Sequence, residues 1–147
     1  MNIKILISDP THSEVQLPDG LWIASGLHRR AVDLLRRNPT AEQAETICRD
    51  IGDAVIIRLV EEDNCVVGVD AWRGITAGFE VYYSRRPDGS ILLSDHFRNI
   101  LVEVPMAERT ISDQAIIDHF LFRAVPAPLT YTHTIRRLGH GDRLSID

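Results

Sequence analysis

Two segments rich in Val and Ile near the middle of the chain constrain its fold more than any other feature. Residues 54–60 and 65–70 are separated by an acidic linker, residues 61–64, whose length suits a β-hairpin connection. The run Val55-Ile56-Ile57 is continuously apolar instead of alternating, which indicates a strand covered on both faces. The chain is therefore predicted to contain a hairpin within a layered fold.

The segment before this hairpin carries the clearest helix signal. Thr40 and Gln43 have the spacing of a capping box, in which side chains bind free N–H groups of the first turn. Apolar residues then recur at helical spacing, namely Ala44, Ile47, Cys48 and Ile51. Gly52 follows the last of them and predicts the end of the helix.

The remaining segments complete an α+β pattern. Strands are predicted over residues 3–7, 21–24, 79–84, 90–93 and 143–146, with a turn at 17–20. A further helix is predicted over residues 27–37. Another is predicted from Ser94 or Asp95 to Val104, with Phe97, Ile100 and Leu101 pointing inward. A third is predicted from Ser112 to Phe122, and its apolar side consists of Ile116, Ile117, Phe120 and Leu121. Tight turns between consecutive strands favour largely antiparallel sheets. One domain over residues 1–147 is expected.

Composition argues against nucleic-acid binding, membrane insertion and metal binding. The chain of 147 residues has a formal net charge of −5, and its arginine doublets are separated by acidic residues, so no basic stripe for nucleic acid forms. The apolar N-terminal run is too short for a signal peptide or a membrane span, and a cytoplasmic protein is expected. Cys48 and Cys65 are expected to be reduced core cysteines. The six histidines lack zinc-helix spacing, so no metal site is expected.

An ordered series of short motifs runs from Gly52 to Asp147. It comprises residues 52–57, 66–70 with Arg73-Gly74, 81–83, 89–101, 116–122, 125–128 and 134–147. In this order and spacing the series resembles the second half of the glutamine amidotransferase domain of asparagine synthetases. The resemblance implies an N-terminal-nucleophile hydrolase fold, which is a four-layer αββα sandwich of two mainly antiparallel sheets.

The first third of the chain departs from that family where glutaminase chemistry is carried. Family glutaminases use a cysteine directly after the initiator Met, and its free amine activates the thiolate. Asn2 stands at that position here, and Ser25-Gly26-Leu27 replaces the segment that supplies an oxyanion donor and substrate contacts. The resemblance therefore implies a glutaminase-like domain with no catalytic residue and a vestigial pocket at Ser25, Gly26 and Asp70.

The partner implied by the resemblance is an ATP-dependent synthetase. The chain has neither a G-x-x-x-x-G-K-[ST] loop nor a pyrophosphatase loop, so ATP and magnesium would bind the synthetase domain or protein. The chain ends where the family's first domain ends, which suggests a trimmed or naturally split protein. Relatives without the glutaminase step include β-lactam synthetases and lasso-peptide cyclases, so a peptide substrate is one expectation. Asp95, Arg98 and Asn99 are expected to face the partner.

A function of another class stays open. The chain could be a stand-alone regulatory protein that binds a small amine or amino acid in the vestigial pocket. A large exposed apolar patch would favour the scaffold of a synthetase, because an interface without its partner has that character. A closed pocket with convergent polar groups would favour the regulatory protein.

Overall fold

The structure, a computed structural model, describes residues 2–8, 12–17, 20–25, 33, 36–37, 40–63 and 65–147, with only the backbone of Ser25. Within these ranges the chain is mixed α+β, with three α-helices whose bounds are described and two mainly antiparallel sheets. It divides into two compact units, of which the first holds Asp9–Phe79 with His140–Asp147 and the second holds Asn2–Ser8 with Glu80–Gly139. A single domain over residues 1–147 stays a prediction.

The elements are numbered in chain order over the described residues. The strands are β1 (Ile3–Leu6), β2 (Ser13–Leu17), β3 (Gly20–Ser25), β4 (Val55–Glu62), β5 (Cys65–Arg73), β6 (Tyr82–Arg85), β7 (Ile91–Ser94), β8 (Arg136–Arg137) and β9 (Arg143–Ile146). The helices are α1 (Ala41–Ile51), α2 (Phe97–Glu103) and α3 (Asp113–Phe122), with a 3₁₀ turn at Met106–Glu108.

The first unit is built on an antiparallel sheet in the order β2-β3-β4-β5-β9. The predicted hairpin forms its centre, and Val55, Ile56 and Ile57 are all buried, which confirms that β4 is covered on both faces. Helix α1 begins as predicted, because the Thr40 hydroxyl accepts a hydrogen bond from the Gln43 N–H at 3.1 Å. Its inward residues pack with both tryptophans in one apolar cluster, formed by Trp22, Ala24, Ala44, Ile47, Cys48, Ala54, Ile56 and Trp72.

The second unit is built on a sheet in the order β1-β7-β6-β8. Strand β1 runs parallel to β7, and the other pairs are antiparallel. Helix α2 covers part of this sheet with the residues predicted to point inward: Ile100 is buried in the core, and Phe97 and Leu101 pack against it. The prediction of largely antiparallel sheets is confirmed, with the β1–β7 pair as the exception.

Two strands were missing from the sequence prediction, β2 and β8. Among the described strands, β2 pairs with β3 alone, and it is only half-buried. Its polar and apolar residues alternate, so it lacks the continuous apolar run that marks a central strand. Strand β8 has two residues, too few for a periodicity. The predicted helix over residues 27–37 lies mostly outside the described residues. Only 33, 36 and 37 of this segment are described, and these three are helical.

Two predictions about burial are wrong. Cys65 is exposed at the start of β5, because that end of the strand extends beyond the core; only Cys48 is a core cysteine. The predicted apolar side of α3 also faces solvent, since the helix buries Ala115 and Asp118 instead. None of the helices in the described part of the chain is long and apolar enough to cross a lipid bilayer.

Candidate functional site

The carboxylate of Asp70 lies at the centre of a polar network on the first unit's sheet. Asp70 is buried, and its Oδ2 accepts hydrogen bonds from Nε and Nη2 of Arg58. Its Oδ1 accepts hydrogen bonds from the Ser145 hydroxyl at 2.7 Å and from Nη2 of Arg143 at 3.2 Å. Both oxygens are thus engaged within the sheet, by residues on β4 and β9.

The network decides the ionisation of Asp70. Burial by itself would raise the pKa of Asp70, but the hydrogen bonds from Ser145, Arg58 and Arg143, together with the charge of Arg58, outweigh burial and hold the pKa below its ordinary value of 3.8. Asp70 is therefore an anion at neutral pH, and it links three strands. That is a structural role that its position in the sequence alone did not reveal.

The three residues of the expected vestigial pocket do not form a described site. In the sheet register, Asp70 is opposite Arg58, whereas Ser25 is opposite Val55 at the far end of β3. The side chain of Ser25 and the whole of Gly26 lie outside the described residues. Because Asp70 already binds two arginines, we expect it to contribute little to an ammonium site. A vestigial pocket at these residues stays a prediction.

Two of the three residues expected at a partner interface bind the chain's own N-terminal segment. The carboxylate of Asp95 accepts hydrogen bonds from the Ser8 N–H at 2.8 and 3.0 Å. The Asn99 amide donates to the hydroxyls of Ser8 at 2.8 Å and Ser94 at 3.2 Å. Arg98 is exposed. A contact of these residues with a partner stays a prediction, and Arg98 is the side chain best placed to make it.

The buried cysteine is not a usable nucleophile. Burial raises the pKa of the Cys48 thiol to about 12, against a smaller opposite effect of a backbone hydrogen bond at Ile56. The thiol is therefore protonated at neutral pH, and its Sγ lies 3.7 Å from the Ala54 carbonyl oxygen, to which it can donate. No group of three His, Cys, Asp or Glu side chains suited to a metal ion occurs among the described residues.

The exposed side of α3 is the most apolar surface in the described part of the second unit. We call it the α3 surface, and it consists of Ile116, Ile117, Phe120 and Leu121. The exposed fractions of these side chains run from 40% at Ile116 to 81% at Phe120. Large apolar side chains with these exposures present on the order of 500 Å² to solvent. The largest apolar patch on a monomeric protein is typically about 300–600 Å² and is often functional, so this surface is a candidate binding surface.

This surface continues beyond the helix. The hydroxyl of Tyr131 lies 3.1 Å from Nδ1 of His119 on α3, and the two rings pack edge to face. Tyr131 is itself 47% exposed, and Ile111 just before the helix is 63% exposed. The apolar area therefore includes the loop that returns from α3 as well as the helix. The signal in the sequence was the double run Ile116-Ile117 and Phe120-Leu121-Phe122, which is too broad for one buried stripe.

A cleft of about 350 Å³ opens in the first unit. Its lining comes from three separate segments: Glu45, Cys48 and Arg49 on α1; Trp72, Arg73 and Ile75 around the end of β5; and Gly141, Asp142 and Arg143 at the start of β9. None of the residues expected to form the vestigial pocket is among them. The cleft was not predictable, because helical spacing places only its α1 wall and the other two walls meet it through tertiary structure.

Known proteins offer no further guide to this geometry. Comparison with protein families, with characterised proteins and with solved structures finds no match for the chain.

Proposed function

We propose that this chain is a non-hydrolytic, glutaminase-like domain that supports an asparagine-synthetase-like, ATP-dependent enzyme that forms amide bonds. The ordered motifs from Gly52 to Asp147 support the proposal, and so does a mixed α+β chain with two mainly antiparallel sheets. The four-layer αββα arrangement of N-terminal-nucleophile hydrolases is part of the proposal. The protein would act in the cytoplasm.

The observation that carries the proposal is the exposed α3 surface. Moving its roughly 500 Å² of apolar area out of water on binding would favour association by about 12 kcal/mol before the costs of docking. A standard interface covers about 800 Å² on each partner, so the α3 surface with its neighbours Ile111 and Tyr131 approaches that size. An isolated domain would gain nothing from exposing these side chains, whereas a scaffold needs such a face.

The partner in this proposal is a synthetase of the ATP-pyrophosphatase type, as a second domain or as a separate protein. It would bind ATP and magnesium, since the chain has no phosphate loop of its own. The substrate's own amine would supply the nitrogen, as in enzymes that close peptide rings, so glutamine hydrolysis would be dispensable. The thiol of Cys48, protonated at neutral pH, agrees with a domain that does not hydrolyse glutamine.

The α3 surface replaces the segment around Asp95 as the preferred place of contact. The polar atoms of Asp95 and Asn99 bind the segment that ends at Ser8, so a partner would have to compete with those hydrogen bonds. Phe120 and Leu121, by contrast, meet only solvent over most of their area. Arg98 can still contribute a charge at the edge of an interface, where its effect would be mainly on the association rate.

The test is complex formation between the purified chain and the ATP-pyrophosphatase-type protein encoded beside it or after it. We expect a stoichiometric complex in light scattering, and AMP release from ATP that rises when the chain is added. The double variant Phe120→Ser/Leu121→Ser should weaken the complex at least tenfold, since about 2 kcal/mol of apolar burial is lost. Val102→Ser is the matched control, because Val102 is 65% exposed but lies on α2.

Three outcomes of this experiment would each contradict a different part of the proposal. A complex that tolerates the double variant would leave the synthetase as partner but remove the α3 surface from the interface. If no complex forms and the chain does not stimulate AMP release, the scaffold proposal is wrong. Glutamate release from glutamine by the chain alone, persisting in Cys48→Ser and Cys65→Ser variants, would contradict the non-hydrolytic part.

The alternative of a stand-alone regulatory protein has one observation in its favour, which is the cleft of the first unit. It is a concave site in which polar groups converge beside the Trp72 ring, and concavity with convergent polar groups is a property of small-molecule sites. Its position differs from the expected one at Ser25, Gly26 and Asp70, so a sensor of a small amine or amino acid would have to use other residues.

A further inference from the structure

We propose that two copies of the chain pair through their α3 surfaces, with the two helices antiparallel about a two-fold axis. This goes beyond the scaffold role, because the pairing needs no synthetase and describes the chain on its own. A second copy as the partner follows from the order of residues along α3, from the charges at its ends and from the apolar area that two copies supply.

The exposed face of α3 carries opposite charges at its two ends. Asp113 begins the helix and lies three residues before Ile116, so the two side chains share a face. Arg123 follows Phe120 by three residues, and its N–H still donates to the His119 carbonyl oxygen as in a helix. From its N-terminal to its C-terminal end the face therefore carries an acid, then the apolar α3 surface, then a base.

Neither of these charges is engaged within the described part of the chain. Asp113 and Arg123 are both exposed, and neither side chain has an ion-pair or hydrogen-bond partner among the described residues. An ion pair with another molecule would therefore break none within the chain. Exposed ion pairs contribute little to affinity, but they set the orientation in which two surfaces meet.

The spacing of these residues is symmetric about the middle of the helix. Asp113 precedes Ile116 by the same three residues by which Arg123 follows Phe120. A two-fold axis at the level of Asp118 therefore places Ile116 of one copy against Phe120 of the other. The same axis places each Asp113 against an Arg123, as a two-fold interface built from one surface requires. Parallel helices would instead place like charges together at both ends, which is unfavourable.

The apolar area suits a weak dimer. Two copies of the α3 surface together bury on the order of 1,000 Å², which is the low end of the range for specific interfaces. Tyr131 and Ile111 are 47% and 63% exposed beside the helix and can add to the rim. We expect a dissociation constant on the order of 10–100 µM. A synthetase that covers the α3 surface would displace the second copy, so the homodimer is the form of the chain without its partner.

The test is sedimentation equilibrium of the full chain without any partner, from about 1 µM to 1 mM. We expect a reversible equilibrium between monomer and dimer. Phe120→Ser should weaken the dimer at least tenfold, because the apolar ring is lost on both sides of the two-fold axis. Val102→Ser is the matched control, since Val102 is 65% exposed on α2, and it should dimerise as the unchanged chain does.

Charge reversal tests the antiparallel arrangement. Asp113→Arg and Arg123→Asp should each weaken the homodimer about tenfold, because both ion pairs become contacts of like charge. An equal mixture of the two variants should form a heterodimer with about the affinity of the unchanged chain, since opposite charges then meet at both ends. Arg98→Asp is the control, because it changes the net charge as Arg123→Asp does but lies on α2, and it should leave the dimer unchanged.

Each result decides the proposal. A chain that stays monomeric up to about 1 mM overturns it. A dimer that tolerates Phe120→Ser and both charge reversals lies elsewhere on the chain, which overturns it as well. If the mixture of reversed variants does not recover a dimer, the antiparallel arrangement is wrong. Recovery in the mixture cannot come from unfolded protein, so a variant that merely loses its fold is recognised. Because the synthetase is absent, these results are independent of complex formation and AMP release.

Discussion

The indole rings of Trp22 and Trp72 are stacked, with their centroids 6.1 Å apart and their planes 3° from parallel. The guanidinium carbon of Arg58 lies 5.3 Å from the Trp22 centroid, and that of Arg143 lies 5.3 Å from the Trp72 centroid. The same two arginines bind Asp70. Aromatic stacking, cation–π contact and ion pairing therefore act on one group of side chains that spans β3, β4, β5 and β9.

The stack predicts a large loss of stability when one ring is removed. Trp22 is 1% exposed, so Trp22→Ala should lower the free energy of unfolding in urea by about 3–5 kcal/mol, from lost burial and a new cavity. Trp22→Phe keeps an aromatic plane beside Arg58 and Trp72, and should cost less than half as much. Equal costs for the two variants would mean that the ring contacts contribute nothing beyond volume.

Asp70 should make the first unit sensitive to acid. Its pKa is depressed in the folded chain, so its contribution is fully present above the ordinary pKa of 3.8 and is lost as the pH falls through the lower, folded pKa. Asp70→Asn should cost about 3 kcal/mol at pH 7, because two arginines lose their buried anion. The difference in stability between the two proteins should shrink as the pH falls below 3.8 in urea titrations.

The comparison of the two pH profiles isolates this carboxyl group. Hydrogen bonds from Ser90 also lower the pKa of Asp88, which lies on an exposed turn. Asp88→Asn removes a fully exposed carboxylate whose pKa is also lowered, and because solvent screens it, its effect on the profile should be smaller than that of Asp70→Asn. A constant difference between the unchanged chain and Asp70→Asn down to pH 2 would contradict a depressed pKa at Asp70.

The parts of the fold that were predictable are those in which local chemistry and tertiary packing agree. The α1 helix follows from the Thr40 cap and the apolar spacing after it, and the β4–β5 hairpin follows from Val55-Ile56-Ile57 and a short linker. The inward side of α3 was not predictable in this way. It buries Ala115 and Asp118, and its large apolar side chains, which a sequence pattern would place inward, are exposed.

The candidate sites were less predictable than the fold for a related reason. Asp70 binds Arg58 across a hairpin, but Arg143 and Ser145 reach it from more than seventy residues away. The cleft likewise joins α1 to segments near Trp72 and Arg143. A pattern in one segment carries no information about which distant segment completes a site, so a network or cleft of this kind needs the tertiary structure.

Gly74 should tolerate no side chain. A Cβ there would lie 2.0 Å from the carbonyl oxygen of Gly52 and 2.9 Å from that of Cys48, both of them backbone atoms that cannot move cheaply. Gly74→Ala should therefore cost about 3 kcal/mol or more in urea unfolding. Gly78→Ala is the control, because a Cβ at Gly78 meets nothing within 4 Å; its effect should stay within about 0.5 kcal/mol.

The two cysteines should differ strongly in reactivity. Cys65 is exposed, whereas Cys48 is buried and burial raises its pKa to about 12, so little of the reactive thiolate exists at pH 8. Iodoacetamide should label Cys65 at least about a hundredfold faster than Cys48, as followed by mass spectrometry. The Cys65→Ser variant should stay unlabelled until urea unfolds it. Rapid labelling of that variant in the native state would show that Cys48 is accessible.

The orientation of α3 can be tested in the chain without any partner. Ala115 is fully buried on this helix, so Ala115→Leu should overpack the second unit and cost about 1–3 kcal/mol. Phe120 is 81% exposed, so Phe120→Ser should change the free energy of unfolding by no more than about 0.5 kcal/mol and should reduce self-association. The opposite ranking would mean that the large apolar side chains face the core. If Phe120→Ser leaves the free energy of unfolding unchanged but abolishes binding to a synthetase, the α3 surface serves recognition. Phe120 would then be required for binding and not for folding.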